Sequence, residues 1–520
     1  MQDRLTNIRK FELLVPAAVM LTGLAAAFYL YSSDKYSLLY YGDSISHLVA
    51  GRKLVDWQNP GIAQLGTVWL PLLHIALIPE ALDDFLFTSG LAGTVISLPS
   101  LTLASFYITR MAYHWFRSEK IAVLTGLIFA LNPSVAYMGI VPMQESLFLF
   151  FAVSSAYYTY TWYENRISKN LYIAAVLTAL ATLTRYEGWL LPIALAALVA
   201  SKIRTENTRV NLTSFLCVSV SFAGITFWFL WNGLAFGDPL AFINIQFYSY
   251  LAQSTSRPFR EFLYLQPLSS GQILSTAMEV MYGAPLLIIS LIGLIAFAAK
   301  KEKRRNRIIF VALLALPLAV VYSSLILGIG EIFHQGGGIW FNSRFLVLAS
   351  SIVSFGSVAV FGISKKKILV IMFTAILVLS ASFGTIRQLG YPNPPMVMKE
   401  AYAGFSYRNE TFSAIETAKI LKQNYVNGTV LMLTSSGDAH KIMIFSGIHL
   451  VSFRDLFGGE PWPLVNGSRS FNKFVIFSNK PSGDAINGVH FIENNSALLN
   501  ARYEVIYYND FYTLMKLMGS

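Results

Sequence analysis

Six short polar clusters interrupt an otherwise apolar sequence, and together they hold the residue types that acid–base and phosphate chemistry need. They are GDSISHL with Asp43 and His47, LPLLH with His74, PMQES with Glu145, TRYEGW with Arg185 and Glu187, FGDPLAF with Asp238, and NSRF with Arg344. A carboxylate can take the proton of an attacking hydroxyl. A guanidinium grips phosphate through paired, charge-assisted hydrogen bonds. Ionisable groups at membrane depth are costly and mark function. Each cluster also has a plain structural reading: Asp43 can cap a helix, Arg185 and Glu187 can form an interfacial ion pair, Asp238–Pro239 can make a turn, and Arg344 can snorkel to headgroups.

The elements that must position these groups are membrane helices. Of 520 residues, 55% are hydrophobic and 13% charged, about half the charge of a soluble domain; the mean hydropathy is +0.53. Such a chain needs lipid to cover its apolar surface. We expect a polytopic α-helical membrane protein with eleven spans, near 11–31, 86–109, 120–139, 146–163, 171–184, 188–201, 211–233, 272–299, 308–328, 345–363 and 368–385. The fifth and sixth are short and meet at a break around Arg185–Gly188. The single cysteine, Cys217, excludes an internal disulfide and any cysteine-based metal cluster.

Lys and Arg set the orientation. Twenty lie in one set of loops, including Arg4, Arg9, Lys10, the run KKEKRRNR at 300–307, and Lys365–Lys367; seven lie in the other (Lys35, Arg52, Lys53, Arg185, Arg257, Arg260, Arg344). The richer side is cytoplasmic, which puts the N-terminus inside, in the cell membrane, with the first span a retained anchor. The same clustering spreads the net charge of +11 over loops and argues against nucleic acid as a partner. The polar clusters then share the extracytoplasmic side, with a long first outer loop at 32–85. Within that loop, Ile45, Leu48 and Val49 against Ser46, Arg52 and Lys53 predict an amphipathic helix on the membrane surface, with Asp43 and His47 on one face.

Residues 1–388 thus read as the membrane module and 389–520 as an extracytoplasmic domain. The linker YPNPP at 391–395 separates them, and sequons at Asn409, Asn427, Asn466 and Asn494 agree with an external tail. In the tail the apolar runs TVLMLT, HLVSF, KFVIFS and YEVIYY alternate with FSAIETAKILKQNY and DAHKIMIFSGI, a pattern for a small α/β domain with a largely parallel sheet.

The order and shared sidedness of YYGDSISHL, LGTVWLPLLH, PMQESLF, ATLTRYEGWLLP, NGLAFGDPLAF and WFNSRFLVLA resemble the GT-C superfamily of membrane glycosyltransferases, whose members include protein O-mannosyltransferases and lipid A aminoarabinose transferases. The resemblance covers most of residues 1–385. It implies a polyprenyl-phosphate sugar as donor, a glycan, lipid or protein acceptor, Asp43 as the base and Arg344 as a donor-phosphate ligand. The acidic doublet of the O-mannosyltransferase first loop is absent, so Glu145 stands as the second carboxylate. Arg185, Glu187, His47, His74 and Asp238 stand as further substrate-binding groups. No cofactor is required by the pattern; a divalent metal is compatible with Asp43, His47, His74 and Glu145 as ligands, although no tight ligand spacing appears.

The chemistry fits without the analogy. Nucleotide sugars are not supplied outside the cytoplasm, so an outward transferase needs a lipid-borne donor, and direct in-line attack would invert the anomeric centre. The competing readings are a secondary transporter, which would place its groups at the midplane on broken helices, and a scaffold that binds partners through its outer domain.

Overall fold

The computed structural model describes residues 8–66, 68–206, 211–244, 264–328, 332–335, 338–362, 397, 401–402, 405, 409–455, 472–479, 496–497 and 499–519. The expected span at 368–385, the YPNPP linker and the sequons at Asn466 and Asn494 lie outside them. The chain divides into a helical unit (Met1–Phe28, Thr67–Leu72 and Ile96–Glu400) and a mixed unit (Tyr29–Gly66, Leu73–Val95 and Ala401–Ser520). The long loop at 32–85 therefore belongs, for the most part, with the C-terminal domain rather than with the helices that flank it in sequence.

Among the described residues four helices are long and apolar enough to cross a membrane: Lys10–Ser33, Leu91–Phe116, Tyr186–Thr205 and Arg304–Ile326. Two bent pairs raise this to six, Leu212–Ser221 with Ala223–Phe236 (49°) and Pro267–Tyr282 with Ala284–Ala299 (109°). The sharper bend falls at Gly283, whose φ of +79° suits a residue without a Cβ, followed by Pro285. The expected span at 272–299 is thus two helices at a steep angle. Helix Gln144–Asn165, the expected span at 146–163, is not among these apolar helices, and 18 of its 22 residues are buried. Protein rather than lipid covers it, so Ser154, Ser155, Thr159 and Thr161 are tolerated; Ser155 and Thr178 share a hydrogen bond of 2.6 Å with the next helix, Ser168–Thr182. Small residues set the other close crossing. A Cβ at Gly293 would lie 2.0 Å from the Gly356 carbonyl oxygen, so helices Ala284–Ala299 and Ser350–Ala359 touch backbone to backbone. A short antiparallel pair, β1 (Ile332–Gln335) and β2 (Gly338–Phe341), precedes the NSRF cluster.

The mixed unit is built on five strands: β3 (Val430–Leu433), β4 (Phe453–Asp455), β5 (Phe474–Ser478), β6 (Tyr503–Tyr508) and β7 (Tyr512–Leu517), ordered β4-β3-β5-β7-β6. β3 pairs parallel with both β4 and β5, while β7 runs antiparallel to β5 and β6. The sheet is mixed rather than largely parallel. The reason is local: only Asn509–Phe511 separate β6 from β7, and a three-residue connection allows only antiparallel pairing. The Asn509 carboxamide oxygen accepts from the Phe511 and Tyr512 N–H groups and fixes that turn. The expected helices appear as Asn409–Asn424 and Ser436–Ser446. Leu431, Leu433, Val475, Leu499, Tyr503 and Met515 form a core on the sheet.

Candidate active site

In the helical unit the polar clusters sit where helices begin or break. Glu145 lies in the first turn of helix Gln144–Asn165. Arg185 occupies an extended residue between helix Ser168–Thr182 and the 3-10 turn Tyr186–Trp189. Arg344 lies in the 3-10 helix Ser343–Ala349, where the Asn342 side chain accepts its backbone N–H. The segment 68–72 ties these breaks together: Val68 O accepts from the Tyr186 hydroxyl (2.8 Å), Leu70 O from Gln144 Nε2 (3.5 Å), and Leu72 N donates to Leu183 O (3.1 Å).

These breaks bring four of the expected residues together. Arg185 grips Glu187 with both Nε (3.1 Å) and Nη2 (2.8 Å), and its Nη1 reaches Glu145 Oε1 at 2.6 Å. Arg344 Nε lies 3.9 Å from the same Glu145 oxygen. Both guanidinium groups sit over the ring of Phe345, at 4.9 and 5.2 Å from its centroid. All four ionisable side chains are at least nine-tenths buried, Glu145 completely. Two positive and two negative charges in so little water are tolerable only because they pair. Glu145 Oε2 is buried without a hydrogen-bond partner among the described residues. The ion-pair reading of Arg185 with Glu187 therefore holds, and the pair extends to Glu145 and Arg344. Beside it, Tyr186 stacks on Phe242 at 5.6 Å and accepts from Trp228 Nε1, an aromatic wall that sequence reasoning missed. Asp238 behaves as a turn residue: its Oδ1 accepts the Leu240 N–H at 2.8 Å.

The mixed unit holds Asp43, His47 and His74. Asp43 is in the first turn of helix Gly42–Lys53, whose cap is Tyr41, so Asp43 is not the cap residue. A carboxylate in a first turn is favoured by the helix dipole. The helix is not the surface amphipath expected. Nine of its twelve residues are buried, Ser46, His47, Arg52 and Lys53 among them, because helix Ser436–Ser446 and the segment Ile78–Ala81 pack against it within the unit. The polar face meets polar partners instead of water. Gly51 permits the approach: a Cβ there would lie 3.0 Å from the His74 carbonyl oxygen.

His47 Nδ1 and His74 Nε2 are hydrogen-bonded at 2.9 Å, with the rings 3% and 1% exposed. Burial pushes the His74 imidazole down to about 4, so it is neutral near pH 7. Among the described residues no group of three or more His, Cys, Asp or Glu could hold a metal ion.

Sequence reasoning also missed the partners of the Asp43 helix. Arg52 pairs with Asp56 (2.8 Å) and Asp84 (2.7 Å) and lies over Phe87; Lys53 pairs with Asp455 and lies over Trp57. Only the Arg52–Asp56 spacing of four was a readable signal.

Residues 85–232 match the family model described as dolichyl-phosphate-mannose-protein mannosyltransferase. The match includes Glu145, Arg185 and Glu187. No curated protein matches the chain by sequence. Among solved structures, ArnT from Cupriavidus metallidurans bound to undecaprenyl phosphate aligns at 12% identity with a TM-score of 0.57, covering 96% of this chain and 98% of that one. ArnT in the apo state aligns at 12% identity and 0.43 over 95% and 98%. The Archaeoglobus fulgidus oligosaccharyltransferase aligns at 13% and 0.43, over 79% of this chain and 57% of that one. The chain is thus an integral membrane protein with a fold similar to that of ArnT, and its residues 85–232 match a mannosyltransferase family model.

Proposed function

We propose that the chain moves a sugar, a hexose of the mannosyl type, from a polyprenyl-phosphate carrier to an acceptor hydroxyl on the extracytoplasmic face, with inversion at the anomeric carbon. The observation that carries this reading is the buried Glu145–Arg185–Glu187–Arg344 cluster. Two guanidinium groups over one phenyl ring suit a group that arrives carrying phosphate. Support comes from the ArnT relative of similar fold, which was crystallised with undecaprenyl phosphate, and from the lipid-phosphate donor named by the matching family. The orientation rests on the uneven loop charges.

In this reading Asp43 accepts the proton of the acceptor hydroxyl as that oxygen bonds to the anomeric carbon. The carbon–phosphate oxygen bond breaks, and its electron pair leaves with the polyprenyl phosphate. The phosphate gains one negative charge, which Arg344 stabilises. Arg185 has both carboxylates to hold, so its part is to fix Glu145 and, through it, Arg344. The acceptor is a glycan, lipid or protein hydroxyl.

The test is incubation of membranes holding the chain with labelled polyprenyl-phosphate sugars and candidate acceptors, repeated with Asp43→Asn. Transfer that disappears with Asp43→Asn supports the reading. Absence of transfer from every lipid donor overturns it, and a product that retains the anomeric configuration overturns the direct displacement. Movement of an unmodified solute across proteoliposomes would favour the transporter.

A further inference from the structure

The mixed unit joins two stretches far apart in sequence, the first loop and the C-terminal domain, and the contacts between them converge on one helix. Lys53, at the end of helix Gly42–Lys53, is paired with Asp455 at the end of β4; both are buried. In the middle of the helix, Ser46 Oγ and His440 Nδ1 share a hydrogen bond of 3.0 Å, with His440 on helix Ser436–Ser446. Just past the helix, Asp56 accepts the backbone N–H groups of Leu450 and Val451, each at 3.1 Å, and Gln58 Nε2 donates to Phe453 O at 3.0 Å. Arg52 Nη2 donates to His449 Nδ1 at 3.1 Å.

We infer that the C-terminal domain is a positioning element for the transfer reaction, in which His440, Leu450, Val451 and Asp455 hold the helix that carries Asp43 and thereby set where its carboxylate stands. The inference rests on the reading of Asp43 as the base. A helix that only needed covering could be buried by apolar packing. Here the domain meets it with a buried ion pair and directed hydrogen bonds, which fix rotation and register as well as distance. Asp56, held below the usual carboxylate range by Arg52 and the two N–H groups despite partial burial, keeps its charge for that task through neutral pH. His440, pushed down to about 3 by burial and by Lys53, stays neutral and so offers Ser46 a fixed donor or acceptor rather than a charge. A misplacement of about 1 Å in a reacting group can cost on the order of 10²-fold in rate, so a loosened helix should show in turnover before it shows in binding.

The experiment uses the full chain purified in nanodiscs, with Asp455→Asn as the variant. Two readouts are taken: amide hydrogen exchange of residues 42–53, and steady-state transfer from a labelled polyprenyl-phosphate sugar per folded molecule. The expected result is faster exchange confined to 42–53, kcat lowered by about 10²-fold, KM for the lipid donor within about twofold, and partial rescue by Asp455→Glu. Should Asp455→Asn fail to fold, Ser46→Ala removes a single hydrogen bond and should lower kcat about fivefold with the same exchange signature. Exchange of 42–53 equal to that of the unaltered chain overturns the proposal, as does loosened exchange with unchanged kcat. If the unaltered chain turns over no lipid-linked sugar, the transferase reading fails separately, and the exchange result alone decides whether the domain holds the helix.

Discussion

The charge cluster of the helical unit and the Asp43 helix of the mixed unit solve the same problem, holding ionisable groups out of water, in opposite ways. The cluster pairs its charges within one unit. Arg185, Glu187, Glu145 and Arg344 neutralise one another. Asp43's helix is instead held by partners about 400 residues away, through Lys53 with Asp455 and Ser46 with His440. A buried charge cluster fails abruptly when a central member goes, because a buried charge is then left without its pair. A helix held by several separate contacts weakens stepwise.

The largest effect should come from Asp43→Asn. If the carboxylate is the base, kcat falls by about 10²–10⁴-fold while folding and donor affinity stay near those of the unaltered chain; activity kept within tenfold would break the assignment. Next, Arg185→Met should cost about 3–5 kcal/mol by leaving Glu145 and Glu187 buried without their cation. Thermal unfolding in nanodiscs reads this, and Glu187→Gln should be milder because Arg185 retains Glu145. A denaturation midpoint unchanged in Arg185→Met would show that the cluster is wetter than its burial implies.

The third prediction sharpens the contrast by pH. His74 is neutral when folded, with its imidazole near 4 against 6.5 in an open chain. The unfolded state therefore takes up the proton first, and stability of the mixed unit is fully present above pH 6.5. It falls as the pH drops from 6.5 towards 4, by up to about 1.4 kcal/mol per pH unit. Exchange protection of Val430–Leu433 measures this, and His74→Gln should flatten the slope. Smallest, Asn509→Ala should cost about 1 kcal/mol by leaving the Phe511 and Tyr512 N–H groups without their turn acceptor, read as faster exchange of β6 and β7 alone.

Much of the helical unit was legible because apolar runs of span length have few other uses. The break at Arg185 was visible for the same reason, since a charged TRYEG cannot continue an apolar helix. The runs KFVIFS and YEVIYY became strands β5 and β6. What escaped was the strand YTLMKL, which lacks clean alternation, and with it the antiparallel half of the sheet. The burial of helix Gly42–Lys53 also escaped, because polar residues on a helix face read as solvent-facing until a polar partner is known to cover them. Asp238 makes the local turn hydrogen bond that Asp before Pro favours.

By itself the sequence determined that this is a membrane protein of many helices, which residues carry charge into it, and that a strand-and-helix domain closes the chain. Those properties follow from composition and from periodicities of a few residues. Only the tertiary structure decided that Glu145 and Arg344, 199 positions apart in sequence, meet on either side of Arg185, and that the C-terminal domain grips the helix of Asp43. Pairing of buried charges depends on which chain breaks come together in space, and no local pattern encodes that.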